Sequence, residues 1–192
     1  MALQTSGEIT VSVDRLAAFA VVRDPVRLAG CIPGCQDLCE LSPNKYTAVL
    51  TSRVGFMTLS FKVTIDVVKM EPPSTVEAKI SGDAIGLAGH VQATAGVQLV
   101  EIGAGRTTIR YAADVGLAGK LGGIGQPVLN ARSVQLAREF GANLQAAIEG
   151  QPTEPQAVEP TPGRWRRLVL VLQRLHTWIE GRVRGVRRGD RH

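Results

Sequence analysis

Cys31, Cys35 and Cys39 stand at a C-x3-C-x3-C spacing, which would suit zinc or an iron–sulfur cluster if the three thiolates could converge. Pro33-Gly34 interrupts the series, so no single helix can carry all three thiols on one face. If Cys35 and Cys39 share a strand, they stand about 13 Å apart at 3.3 Å per residue, whereas thiolates must close on one ion at about 2.3 Å each. The series therefore reads as small buried hydrophobes or a turn element, with no metal expected. A disulfide is not expected in a reducing cytosol either. Acid–base chemistry needs polar groups that converge in a pocket. His90 falls on the polar phase of its stretch, between Gly89 and Val91, and His176 and His192 lie near the end of the chain. Asp83 and Asp114 read as turn and surface charges, so no catalytic residue is assigned. Gly82, Gly86, Gly89, Gly116, Gly119, Gly122, Gly123 and Gly125 are not arranged as G-x-x-x-x-G-K-[ST], which argues against a phosphate-cradling loop. They suit turns and bulges, or pliable loops near a pocket mouth.

A second constellation is apolar. Met57, Leu59, Phe61, Val63, Ile65 and Val67 alternate with Thr58, Ser60, Lys62, Thr64 and Asp66, the period of a strand with one wet and one buried face. Extending this phase gives an inward set of Phe56, Met57, Leu59, Phe61, Val76, Ala78, Val91, Ala93, Ala95, Tyr111 and Ala113. Large and very small residues mix in it. The small ones leave room for an apolar ligand, or let a helix pack closely; both readings stand at this point.

The third constellation is basic. Residues 164–192 hold 9 Lys+Arg, all arginine, against 2 Asp+Glu, whereas residues 1–163 hold 13 against 15. A net +7 on the tail and −2 on the body point to a polyanionic partner for the tail. At 100° per residue Trp165, Leu168, Leu172, Leu175, Ile179, Val183 and Val186 form one stripe, with Arg166, Arg167, Arg174, Arg184 and Arg188 off it. Such a helix lies in a membrane interface, its apolar side at headgroup level, its arginines on anionic phosphates and Trp165 and Trp178 at the boundary. Gly181, Gly185 and Gly189 weaken the last turns, so the helix is expected to complete only on the membrane. Docking in a partner's groove is the rival reading. Nucleic acid ranks last, because it would not require a continuous apolar stripe.

These groups need a scaffold, and the rest of the chain supplies its pattern. Ile9, Val11 and Val13 alternate with polar neighbours as a first strand; Asp14 suits a helix N-cap, and Asp24-Pro25 ends that helix and starts another turn. Strands are predicted over 38–41, 45–54, 57–68, 75–80, 91–100 and 107–115, separated by turn residues such as Ser42-Pro43-Asn44-Lys45 and Gly103-Ala104-Gly105. From Pro127 the period turns helical through Val128, Leu129, Val134, Leu136, Ala137, Phe140, Leu144, Ala147 and Ile148, with Gly150 as the stop. That stripe must cover the concave face of the sheet. The order is strand, two short helices, six strands and a long helix, an α+β domain over 1–150. Residues 151–163 contain four prolines and read as an extended spacer; 164–192 is the amphipathic tail. Met1 to Val13 has no basic n-region and reads as a strand instead of a signal peptide. No apolar run approaches the roughly 20 residues that span a bilayer.

The opening strand, Asp24-Pro25, the block Cys31-Ile32-Pro33-Gly34-Cys35, the Gly-rich stretches at 82–89 and 116–125 and the long helix together resemble the CoxG family of carbon monoxide dehydrogenase accessory proteins, within the SRPBCC, or START-like, superfamily. The likeness covers about residues 4–150, and the Cys-Ile-Pro-Gly-Cys block is its most specific element. The resemblance implies a helix-grip fold with an apolar cavity. It also implies a noncatalytic accessory that recruits a molybdenum hydroxylase, such as carbon monoxide dehydrogenase, to the cytoplasmic face of the cell membrane. Such a protein would carry a noncovalently bound quinone (menaquinone or ubiquinone) or another lipid. The alternative is a START-like cyclase or hydrolase acting on an apolar small molecule.

Overall fold

The structure is a computed structural model in which residues 2–121 and 125–150 are described. The linker and tail readings, including Trp165, Arg166, Arg167, Leu168, Leu172, Arg174, Leu175, Trp178, Ile179 and Val183, lie outside the described residues. The element order is β1 (Ala2–Val11), α1 (Arg15–Val22), α2 (Pro25–Cys31), β2 (Cys35–Ser42), β3 (Lys45–Val54), β4 (Met57–Glu71), β5 (Thr75–Ala84), β6 (Gly89–Gly103), β7 (Arg106–Gly119) and α3 (Gln126–Ile148). Among the described residues seven antiparallel strands form one curled sheet in the order β1-β7-β6-β5-β4-β3-β2. Strands β2 to β7 pair as successive hairpin neighbours. Strand β1 closes onto β7, the strand most distant from it in sequence.

Local chemistry sets the helix boundaries. Asp14 caps α1, its carboxylate accepting from the Ala17 N–H at 2.8 Å, and Asp24 caps α2 by accepting from Val26 and Arg27 N–H at 2.9 and 3.1 Å. Pro25 fits the first turn of α2, where an N–H would have no helical partner. Gly34 is left-handed (φ +75), and a Cβ there would collide with the Thr51 carbonyl, so the turn into β2 requires glycine.

Several strands outrun their expected ends, because ladder pairing continues where apolar alternation fades. Strand β1 begins at Ala2 because Ala2 to Thr5 pair with Gly116 to Ala113. Strand β5 continues through Asp83, which pairs with His90. Asp83 is thus a strand residue and not the turn charge expected. His90 lies on the outer phase as expected, its Nδ1 2.8 Å from Asp83 Oδ1.

Helix α3 runs along β1, with the Thr5 hydroxyl donating to the Ser133 carbonyl at 3.3 Å near its N-terminal half. Near its other end Asn143 donates to the Cys31 carbonyl at 3.1 Å, and Arg27 donates to the Ala147 carbonyl at 3.0 Å. Among the described residues two separate apolar cores result. One joins Val11, Phe19, Val22, Cys31, Val97, Leu99, Ile109 and Leu144. The other, at the opposite end of the sheet, joins Leu3, Val54, Leu59, Leu121 and Leu129.

Candidate ligand site on the concave face

Between the two cores the concave face is lined by small side chains. Register places Thr5, Ala113, Ala95 and Ala78 in one row across β1, β7, β6 and β5. The next row is Leu3, Val115, Ala93 and Ile80. Apart from Leu3, which belongs to the second core, these residues are only half-buried although they face the helix side. Methyl groups cannot span from the sheet to a helix, so accessible surface remains where larger residues would have closed the core.

Ten of the eleven expected inward residues share this phase. Leu59 and Val76 are buried; Met57, Phe61, Ala78, Val91, Ala93, Ala95, Tyr111 and Ala113 are half-buried. Phe56 departs from the expectation. It sits on the β3–β4 turn after Gly55 (φ +61) and is 93% exposed, because the turn breaks the alternation one residue before β4 begins. Tyr111 does not face open space but abuts one core. Its ring meets Phe140 edge-on at 5.1 Å and 76°, and its hydroxyl end lies against Gly7 of β1 and Gly141 of α3. Burial pushes its phenol pKa up.

Sequence reading missed a polar cluster on the flank of α3. The Arg132 guanidinium donates through Nε to the Ser52 hydroxyl on β3 at 3.1 Å and through Nη1 to Glu139 Oε1 at 3.2 Å. Gln135 donates to the same Glu139 oxygen at 2.8 Å. Ser52 pairs with buried Leu59 and shares its concave phase. The Arg132–Glu139 pair is 19% and 20% exposed, whereas the other ion pairs among the described residues are at least 40% exposed. The only sequence signal was two opposite charges at helical i, i+7 spacing, too weak to single out. Elsewhere, a groove of about 860 Å³ follows the other flank of α3, between Gln126, Asn130 and Val134 and the start of β1.

The thiols do not come together. Cys31 is buried and donates to the Arg27 carbonyl at 3.3 Å. A bulge at Asp37 (φ 53) lets Cys35 pair with concave-phase Leu50 while Cys39 pairs with outward-phase Thr47, so Cys35 and Cys39 point to opposite faces of the sheet. Burial raises the pKa of Cys31, against a smaller opposing effect of Arg27, and also raises that of Cys35. Both thiols are therefore weak nucleophiles near neutral pH. No helix among the described residues is long and apolar enough to cross a membrane.

A curled antiparallel sheet gripping one long C-terminal helix, with two short helices after the first strand, is the helix-grip architecture of START-like, or SRPBCC, proteins. Within that class the chain belongs to the carbon monoxide dehydrogenase CoxG family, whose family model matches residues 7–149. It is a family of accessory subunits whose name implies association with carbon monoxide dehydrogenase. No curated protein matches the sequence. Among solved structures, a conserved protein from Geobacillus kaustophilus is similar at TM-score 0.68 and 24% identity, covering 77% of this chain and 95% of that one. A START superfamily protein from Mycobacterium smegmatis is similar at 0.52 and 14%, covering 77% and 94%. The Zhui aromatase/cyclase from Streptomyces sp. R1128 is similar at 0.53 and 14%, covering 78% and 93%. At these identities the likeness is one of fold, which hosts binding proteins and cyclases alike.

Proposed function

We propose that the chain is a noncatalytic lipid- or quinone-binding adaptor. Its body, 1–150, holds an apolar molecule against the concave face. Its linker, 151–163, tethers the basic tail, 164–192, which rests on the anionic cytoplasmic surface of the cell membrane. There it brings a molybdenum hydroxylase of the carbon monoxide dehydrogenase type to the bilayer, and a bound menaquinone or ubiquinone carries the reducing equivalents away. The observation that carries this reading is the half-open row of Ala78, Ala95 and Ala113 between two closed cores.

The test is a mass spectrum of the organic extract of purified full-length protein. Copurified quinone or lipid supports the carrier. Protein that yields neither, and takes up none from added menaquinone, overturns it. A START-like enzyme would instead turn over an apolar substrate without any oxidase present.

Ala93→Trp gives an independent check. In an accessible strip the indole occupies the ligand's place, so ligand is lost while the thermal transition of ligand-free protein holds within a few degrees. Forcing such volume into a close-packed core typically costs about 1–3 kcal/mol or more. A strongly destabilised, ligand-free Ala93→Trp protein argues that no space exists at that position.

A further inference from the structure

We infer that Arg132 anchors the polar end of the bound molecule, and that Glu139 makes the site prefer a neutral carbonyl head over a carboxylate. The inference rests on the reading that the concave strip holds an apolar molecule. Arg132 projects from α3 across to Ser52, on the concave phase of β3, so its guanidinium stands beside the apolar strip. The two bonds it makes use one Nε and one Nη1 hydrogen. Among the described residues its remaining N–H donors have no acceptor, and a guanidinium carries five in all. Ser52 and Glu139 fix the plane of the group, so the open edge is presented in one orientation at little further cost in entropy.

Glu139 decides what that edge accepts. Its Oε1 takes bonds from both Arg132 and Gln135, and the ion pair is mostly shielded from solvent. The positive charge is thus already balanced. A neutral carbonyl oxygen gains a hydrogen bond from a charged donor, whereas an incoming carboxylate also meets the Glu139 carboxylate at close range. The geometry suits an amphiphile with a carbonyl head and a long apolar tail, such as a quinone, better than a fatty acid.

The experiment measures displacement of a fluorescent apolar dye from full-length protein by menaquinone, by oleate and by squalene, which has no polar head. In Arg132→Met, menaquinone affinity falls about tenfold, the scale of one hydrogen bond to a charged group, while squalene affinity is unchanged. Squalene binding also reports that this variant is folded. Glu139→Gln keeps the acceptor oxygen for Arg132 and removes the negative charge, so oleate binding strengthens about tenfold relative to menaquinone. Equal losses for menaquinone and squalene in Arg132→Met, or an unchanged oleate preference in Glu139→Gln, overturn the anchor while leaving the apolar site intact. If no probe displaces the dye from the unmodified protein, the carrier reading itself fails and the anchor with it.

Discussion

Gly141→Ala lowers the thermal midpoint of the folded body by several degrees, and Tyr111→Phe recovers part of the loss. Alanine is normally the better residue in a helix interior, by about 1 kcal/mol, so an exposed site would gain stability from this change. Gly141 is buried on α3, and a Cβ placed there would strike the Tyr111 hydroxyl oxygen, with Cζ 3.0 Å away. Overpacking of this kind costs about 1–3 kcal/mol or more, and the ring cannot swing toward Phe140, which already meets it edge-on. The net expectation is a loss of about 2 kcal/mol, or roughly 4–8 °C for a body of this size. Removing the hydroxyl relieves the worst contact at Gly141 but not at Gly7. A Cβ on Gly7 would strike the ring itself, with Cε2 at 2.6 Å. Tyr111→Phe should therefore rescue Gly141→Ala in part and Gly7→Ala hardly at all, while Tyr111→Leu rescues both. Thermal unfolding of the double-mutant cycles measures this directly. Gly141→Ala stability equal to or above that of the parent would mean that α3 does not approach β1 as closely as the packing described.

The same pair shows where sequence reading stops. The periods of strand and helix gave all ten elements and their order, because each is a local pattern: alternation in β4, caps at Asp14 and Asp24, and the 3.6-residue stripe of α3. Ten of eleven inward residues followed from phase alone. Phe56 did not, since phase carries no information across a turn. Gly141 read only as a weak spot in a helix, because Tyr111 comes from a distant strand. The Arg132–Ser52 bond joins α3 to β3, and nothing in either segment names the other. Long-range juxtaposition depends on how far the sheet curls, which the local pattern does not specify. The bulge that separates Cys35 from Cys39 is legible in neither residue.

The tail carries the other large effect, and it tests the membrane half of the proposal apart from the ligand half. Leu172→Glu with Ile179→Glu places two charges in the centre of the apolar stripe, so binding of full-length protein to vesicles should be abolished even at low salt. Changing Arg166, Arg167 and Arg174 to Gln leaves the stripe intact and removes about 3 kcal/mol of surface attraction, at about 1 kcal/mol per charge. That is more than a hundredfold in affinity for anionic vesicles, with weak binding to neutral ones unchanged. Salt should mimic the arginine variant and not the stripe variant, because the Debye length shrinks from about 10 Å at 0.1 M to about 3 Å at 1 M. Cosedimentation with phosphatidylglycerol and phosphatidylcholine vesicles separates the two forces. Circular dichroism of a peptide spanning 164–192 should show helix gained on adding the anionic vesicles, since its glycines hold the free peptide below the helical threshold. A peptide that stays unfolded with vesicles yet folds on meeting the oxidase would assign the stripe to a protein groove. The arginines would then set the encounter rate with that partner instead of the hold on the bilayer.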